Sequence, residues 1–340
     1  MKKIVIVLSF LIVSCSLCVS QTTYRAMFYN VENLFDTYDN PHKNDEEFLP
    51  NGAMRWTNWK YWEKLKNITR VITAVGQMQS PSLVGLCEVE NDSVIYDLTK
   101  RSPLRAQGYE YIVTNSPDER GINVALLYQP HHFKLLHYHE YEVQFSTPHA
   151  RPTRNILHAV GEVINGEIVD VFVIHPPSRY GGQLESEPQR IDAAATLRSR
   201  VDSVMSLRSN ANVMILGDFN DYPNDKSVHT ILGARSLHSN HHRHHLYNMF
   251  LHRMGEKDFG SYFFKGRWGI LDQIIVSGNI LSSKNSIHVK DNEAHIFKAP
   301  FLLEEDTRTG QRKPRRTYLG PRYIGGFSDH LPIYIDLIVK

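Results

Sequence analysis

VMILGDFNDYP, residues 213–223, poses the question that decides how this chain folds. Four apolar residues, Val213–Leu216, run into Gly217, and Asp218, Phe219, Asn220 and Asp221 follow at once. A short apolar run bounded by turn residues reads as a buried strand, and Gly, Asp and Asn are the ordinary turn formers after one. Two carboxylates and an amide at such a strand end are still costly to remove from water unless a partner compensates them. That partner has to come from elsewhere in the chain.

The 340 residues are 41% hydrophobic and 22% charged, the composition of a globular protein with ample core rather than of a disordered or fibrous one. Lys2 and Lys3, the apolar run Ile4–Val13 and small or short residues up to Ser20 have the layout of a secretory signal peptide. The apolar run falls short of the roughly 20 residues that span a bilayer. The expectation is a signal peptide over 1–20, one catalytic domain over 21–340, and an exported protein, periplasmic or secreted. Cleavage after Cys18-Val19-Ser20 would leave Gln21 first, whereas Ile12-Val13-Ser14-Cys15 resembles a lipobox and would put a lipid anchor on Cys15. Loss of Lys2 and Lys3 brings the 38 basic residues level with the 36 acidic ones, so phosphate recognition must rest on a local cluster rather than a global field. Cys87 alone survives ordinary cleavage, which rules out an intrachain disulfide, and it reads as a small core residue.

No repeat and no Pro/Gly/Ser-rich linker divides the chain. Strand-like runs recur as YRAMFYN, SLVGLC, EYIVT, INVALLY, ILHAVGEV, VDVFVI, NVMIL, ILDQIIV and LPIYIDLIV. Two helical patterns interrupt them. The first is WKYWEKLKNITRVITAV with its stripe Leu65, Ile68, Val71, Ile72 and Val75. The second is Glu187–Leu207, through Ile191, Ala194, Ala195, Leu197, Val201 and Val204. Many strands with few helices point to an α/β protein with a mixed, layered sandwich rather than a strictly parallel sheet. Residues 37–58, 237–261 and 289–326 read as long surface loops of the kind that shape functional faces. Trp56, Trp59 and Trp62 read as packing residues.

The strand ends then form a pattern. Asn30 and Glu32 close the first strand, Glu88 the second, His175 the strand VDVFVI, and Asp218 with Asn220 the strand NVMIL; Asp272 opens ILDQIIV, and Ser328, Asp329 and His330 precede the last strand. Six strands presenting an acid, an amide or a histidine at an edge are compensated together if they meet around a cation or a phosphate. Carboxylate-rich ligands without clustered cysteine suit a hard ion such as Mg2+ or Mn2+. Two histidines could move a proton or hold a phosphoryl oxygen, and Asp218 and Asn220, two apart in an extended segment, point the same way and could orient one water. These are the parts of metal-assisted phosphate-ester hydrolysis.

FYNVENLF, GLCEVEN, DERGINVALLY, VIHPPSRYGG, GDFND, ILDQIIVS and GFSDHLPI resemble, in order and over about residues 24–338, the motifs of the endonuclease/exonuclease/phosphatase superfamily. The resemblance implies a four-layered α/β sandwich, two mixed and mostly antiparallel sheets face to face with helices outside. It implies Glu88 as principal metal carboxylate with Glu32 and Asn30 beside it and Asp329 near the ion. Asp218 and Asn220 would position or deprotonate water. His330 would contact the scissile phosphate, oriented by Asp272. His175 is similar to the second histidine of the deoxyribonuclease and sphingomyelinase branches, with Glu119 as its partner, and Arg120, Ser178 and Arg179 would contact substrate. The expected reaction is hydrolysis of phosphodiesters, first of DNA or RNA by an endonuclease. The alternatives are an inositol phosphate or sphingomyelin hydrolase of the same family, and a binding protein on the same fold.

Two further stretches stand outside this pattern. His238–His245 could bind Zn2+ but reads by default as a solvated loop. Residues 308–323 gather Arg308, Arg312, Lys313, Arg315, Arg316 and Arg322 beside Tyr318 and Tyr323, which suits a solvated basic loop, a nucleic-acid groove or an anionic headgroup. No stable protein partner is expected, and the chain is read as a monomer.

Overall fold

A computed structural model of the chain describes residues 22–237 and 241–340. Two sheets are built from β1 (Thr22–Leu34), β2 (Leu83–Val89), β3 (Glu110–Val113), β4 (Asn123–Tyr128), β5 (Phe133–Tyr141), β6 (Ile156–Val163), β7 (Ile168–Ile174), β8 (Asn212–Asp218), β9 (Ala234–Arg235), β10 (Leu246–Asn248), β11 (Asp272–Ser277), β12 (Ile287–Ile296) and β13 (Ile333–Val339). The first sheet has the order β12-β13-β1-β2-β4-β3 and the second β5-β6-β7-β8-β11-β10-β9. Most neighbours are antiparallel, but β1 lies parallel to β2, β7 to β8 and β9 to β10.

A parallel pair cannot be closed by a tight turn. The crossover from β1 to β2 runs through α1 (Asn58–Gly76), and that from β7 to β8 through α2 (Gln183–Leu207). Strand alternation assigns the layers. In β1, Tyr24, Ala26 and Phe28 enter the core shared by both sheets, while Met27, Tyr29 and Val31 pack with Leu65, Ile68, Val71, Ile72 and Val75 of α1. In β8, Met214 and Leu216 enter the shared core, while Val213 and Ile215 pack against Ala194, Leu197, Val201 and Val204 of α2. The order is helix, sheet, sheet, helix, the α/β sandwich that the resemblance implied. Cys87 is a buried free thiol in the shared core.

Several elements differ from the sequence reading. β5 and β12 carry too little apolar alternation to be recognised, and each is an edge strand with much of its surface in water. β10 lies inside the stretch read as a loop over 237–261, and most of β12 inside that read over 289–326. α2 starts at Gln183, four residues before Glu187. Trp56 is fully buried and donates from Nε1 to the Phe35 carbonyl at 2.9 Å, but Trp59, expected to pack, is 64% exposed and meets Tyr323 edge-on. Among the described residues, no helix is long and apolar enough to cross a membrane.

Gly217 is explained by the approach of β7 to β8. A Cβ there would lie 2.6 Å from the Ile174 carbonyl oxygen and 2.5 Å from its Cγ1. Gly217→Ala should therefore cost about 1–3 kcal/mol from overpacking, read as a lower urea midpoint. An unchanged midpoint would show that the two strands have room to separate.

Candidate active site

Parallel strands present the same end. The carboxyl ends of β1 and β2 therefore lie on one rim, as do those of β7 and β8. Antiparallel β11 begins where β8 finishes, with Asp272 directly opposite Asp218. β13 runs against β1 with Ile333 opposite Phe28, so the turn Ser328–His330 arrives at this rim as well. Topology thus collects residues 30 to 330 in one place.

The backbone is bent to aim them. Register slips between Asn30 and Leu34 in β1 and between Cys87 and Val89 in β2. Glu32, Asn33, Glu88 and Asn220 hold φ of 55°, 53°, 59° and 52°, a left-handed conformation uncommon for side chains larger than glycine's and found preferentially at functional sites. The bulge turns Glu88 out of the strand alternation and into the rim.

Asp218 is the hub. Its Oδ2 accepts a hydrogen bond from Asn30 Nδ2 at 3.0 Å and lies 3.8 Å from His175 Nε2 and 3.7 Å from His330 Nε2. Its Oδ1 accepts from the Asn220 N–H at 2.9 Å. Asn30 also donates to Glu88 Oε1 at 3.2 Å, and the Asn33 N–H donates to Glu88 Oε2 at 2.9 Å. Asp272 Oδ2 pairs with His330 Nδ1 at 2.7 Å and accepts from Ser261 Oγ at 2.5 Å. The Tyr262 ring packs on His330 with centroids 4.7 Å apart.

These contacts separate the protonation states. Burial pushes Asp218 up to about 6, against the pull of His330. Burial opposes a charge on His330, yet Asp272 and Asp218 outweigh it and hold the imidazole well above its ordinary value. His175, buried near Arg154 and Arg120, is driven well below it. Burial alone would raise Glu88, but Arg120, His330 and the two hydrogen bonds keep its carboxyl below the usual range. The rim therefore holds an ionised Glu88, a charged His330, a neutral His175 and an Asp218 poised near neutrality.

The other expected residues are placed differently. Glu119 does not pair with His175: it is exposed, and the buried His175 Nδ1 has no hydrogen-bond partner. The adjacent Asp118 braces the segment instead, binding Arg154 at 3.1 Å, while Arg154 donates to the carbonyls of His175 and Pro176. Arg179 is engaged within the protein, donating to the Asn220 carbonyl at 2.7 Å and pairing with Asp221 and Asp225, so it supports the loop after β8. Ser178 is exposed at the rim of a cavity. Arg120 is exposed and donates to Asn33 Oδ1 at 2.5 Å, which leaves it facing the Glu88 corner. Both oxygens of Glu32 are held, Oε1 by Arg316 at 2.9 Å and Oε2 by the Thr317 N–H at 2.7 Å, and Asp329 meets the same Arg316 at 3.1 Å. Sequence reasoning missed Ser261, Tyr262 and Arg154, and it saw Arg316 only as part of a basic stretch, because their roles come from contacts across long sequence separations and not from any local motif.

Oxygen and imidazole donors are present for a hard cation. Asp218, Asp272 and His330 offer ligand atoms within 4.8 Å of one another, and they form the only such group of three among the described residues. Asp272 Oδ1 is buried without a hydrogen-bond partner. The residues fit a divalent metal ion. His238 lies outside the described residues, and His241–His245 form no such group.

A family profile for endonuclease/exonuclease/phosphatase proteins matches residues 25–339. The chain belongs to the endonuclease/exonuclease/phosphatase family. Solved structures share its fold. An endonuclease/exonuclease/phosphatase family protein from Bacteroides thetaiotaomicron is 16% identical with a TM-score of 0.56, covering 94% of this chain and 99% of that one. A mannosyl-6-phosphatase of the same organism is also 16% identical, with a TM-score of 0.55 over 92% and 99%. D. rerio TDP2 complexed with single-strand DNA product is 14% identical, with a TM-score of 0.55 over 93% and 99%. No curated protein matches the sequence significantly. Membership of this family, together with the acid–imidazole cluster, makes the chain a metal-dependent hydrolase of phosphate esters.

The charge on His330 carries a sign that can be checked. Its contribution to stability is complete below the free-imidazole pKa of about 6.5 and is lost as pH rises through the raised folded value. Imidazole NMR of metal-free protein at pH 7 should find His330 protonated and His175 neutral. A His330 that titrates at or below His175 would contradict the site described above.

Proposed function

We propose that this chain hydrolyses a phosphate ester by attack of a water that Asp218 and Asn220 position, with His330 holding the phosphoryl group. The observation that carries the reading is the convergence on Asp218 Oδ2 of Asn30 Nδ2 at 3.0 Å, His330 Nε2 at 3.7 Å and His175 Nε2 at 3.8 Å, with Glu88 joined to the same Asn30 amide. A His330 Nε2–H that is too far from Asp218 for a hydrogen bond is available to a phosphoryl oxygen.

A divalent ion bound here would supply a charge sink for the phosphate. We place it on the Asn30–Glu88 side of Asp218. His330 Nδ1 and Asp272 Oδ2 already engage each other at 2.7 Å, whereas Glu88 Oε1 and Asp218 Oδ2 converge on one Asn30 amide nitrogen. Glu88 and Asp218 would hold the ion, Asn30 orients both carboxylates, and Arg120 neutralises a phosphoryl oxygen at that corner. His175, neutral and buried, offers its Nε2 edge to the leaving oxygen.

The substrate reading starts from a cavity of about 740 Å³ that shares Arg120 and Ser178 with the rim. Arg120, Arg151 and Arg154 are balanced there by Asp118, Glu119 and Glu185, so the wall is polar without a net field. Such a wall suits a small phosphate ester with a polar, uncharged remainder better than a polyanion. Half of the basic residues of the loop are paired with acids, Arg308 with Asp306, Lys313 with Glu304 and Asp306, and Arg316 with Glu32 and Asp329. Nucleic acid is the second reading, favoured by Arg315 and Arg322, which stay exposed near Tyr323 and Trp59. Export directed by residues 1–20 belongs to the same proposal; those residues lie outside the described ones.

A metal-supplemented panel of p-nitrophenyl phosphate, bis-p-nitrophenyl phosphate, plasmid DNA and RNA tests this. EDTA should abolish hydrolysis and Mg2+ or Mn2+ restore it, and His330→Ala or Asp218→Ala should lose on the order of 10²–10⁴-fold in rate. Small-ester turnover should vary little with salt, whereas steep loss of plasmid cleavage with salt would favour the nucleic-acid reading. Full activity in EDTA, or in either variant, would overturn the mechanism.

A further inference from the structure

Glu32 and Asp329 come from opposite ends of the chain and reach the same rim as Glu88. Two carboxylates converging in this way would ordinarily make a second cation site. Here a guanidinium lies between them. Arg316 donates from Nε to Glu32 Oε1 at 2.9 Å, and its terminal nitrogen lies 2.9 Å from the same oxygen and 3.1 Å from Asp329 Oδ2. The other Glu32 oxygen accepts from the Thr317 N–H at 2.7 Å. Behind them Lys64, 1% exposed, donates to Thr317 Oγ1 at 2.5 Å and to the Phe327 carbonyl at 2.6 Å, so it fixes the segment that carries Arg316.

Glu32 and Asp329 both meet Arg316, and Glu32 also lies in the field of the buried Lys64. On the other side Glu88 lies near Arg120, and His330 faces Asp218 and Asp272. A planar fork that bridges two carboxylates is held more firmly than a lysine ammonium would be. The Arg316 side chain still keeps 42% of its surface exposed and lines a cavity of about 310 Å³ with Glu32 and Asn33, so it is not sealed away from an anion arriving at the rim.

We infer that Arg316 stands in for a second divalent cation. The chain takes one ion, on the Glu88 side, and the guanidinium supplies the other positive charge that a phosphate ester meets. Arg316 is a fixed part of the fold, so this charge does not depend on metal supply. The inference rests on the metal-dependent reading above.

Mn2+ binding to metal-free protein, counted by electron paramagnetic resonance of the free ion and by calorimetry, tests it without any substrate. Wild type should bind one Mn2+ per chain. Arg316→Gln leaves Glu32 and Asp329 without their guanidinium and should bind a second; adding Glu32→Gln to that variant should remove the second again. A wild type that binds two ions, or a folded Arg316→Gln that still binds one, would overturn the inference and leave the metal reading intact. A wild type that binds none would overturn both. Should Arg316→Gln fail to fold by circular dichroism, the wild-type count decides alone.

Discussion

The buried carboxylate of Asp218 is the constraint on which the rest of the rim depends. A strand that ends in an acid beneath two sheets must bring that acid compensation, and here it comes from β1 through Asn30, from the Asn220 N–H just beyond β8 and from the turn before β13 through His330. Each compensating group is itself held by a further contact. Ser328 donates to the Asn30 carbonyl, Arg179 donates to the Asn220 carbonyl, and Asp272 with Ser261 holds His330. The compensation remains partial, since Asp218 is still pushed up to about 6. That residual unfavourable charge is what a cation or a phosphate-bound proton relay would use, so the same burial that is costly to the fold creates the chemistry.

The sandwich makes such a hub available at low topological cost. Each sheet carries a parallel pair whose crossover helix covers its outer face, so the carboxyl ends of four strands open on one edge. Antiparallel β11 and β13 add their beginnings to that edge. Gly217 matters because it lets β7 and β8 approach where His175 and Asp218 leave them. Loops then determine what reaches the rim, the stretch around Arg120, Arg151 and Ser178 forming one wall and the stretch around Arg316 the other.

Much of this was legible in the amino-acid order because it is local. Apolar runs that stop at Gly217 or before Glu88 mark central strands, and their terminal acids follow by simple adjacency. Two of the edge strands were not legible: β5 and β12 are half in water, so their composition looks like loop. Pairings over long separations were not legible either. Nothing near residue 32 signals that its carboxylate meets Arg316, and a glutamate next to Arg120 looked as good a partner for His175 as any until Asp118 proved to be the residue that turns inward. Arg179 shows the same limit, since a basic residue in a glycine-rich exit loop reads as a phosphate contact but here anchors the Asn220 backbone.

The central claim is that one divalent ion binds between Glu88 and Asp218, on a rim to which six strands bring residues. Anomalous scattering from a crystal grown with Mn2+ tests it most directly. The account predicts a peak within ligand distance, about 2–2.3 Å, of carboxylate oxygens of Glu88 and Asp218. A protein that hydrolyses phosphate esters with Mn2+ but shows its peak elsewhere, or none at that corner, would contradict it.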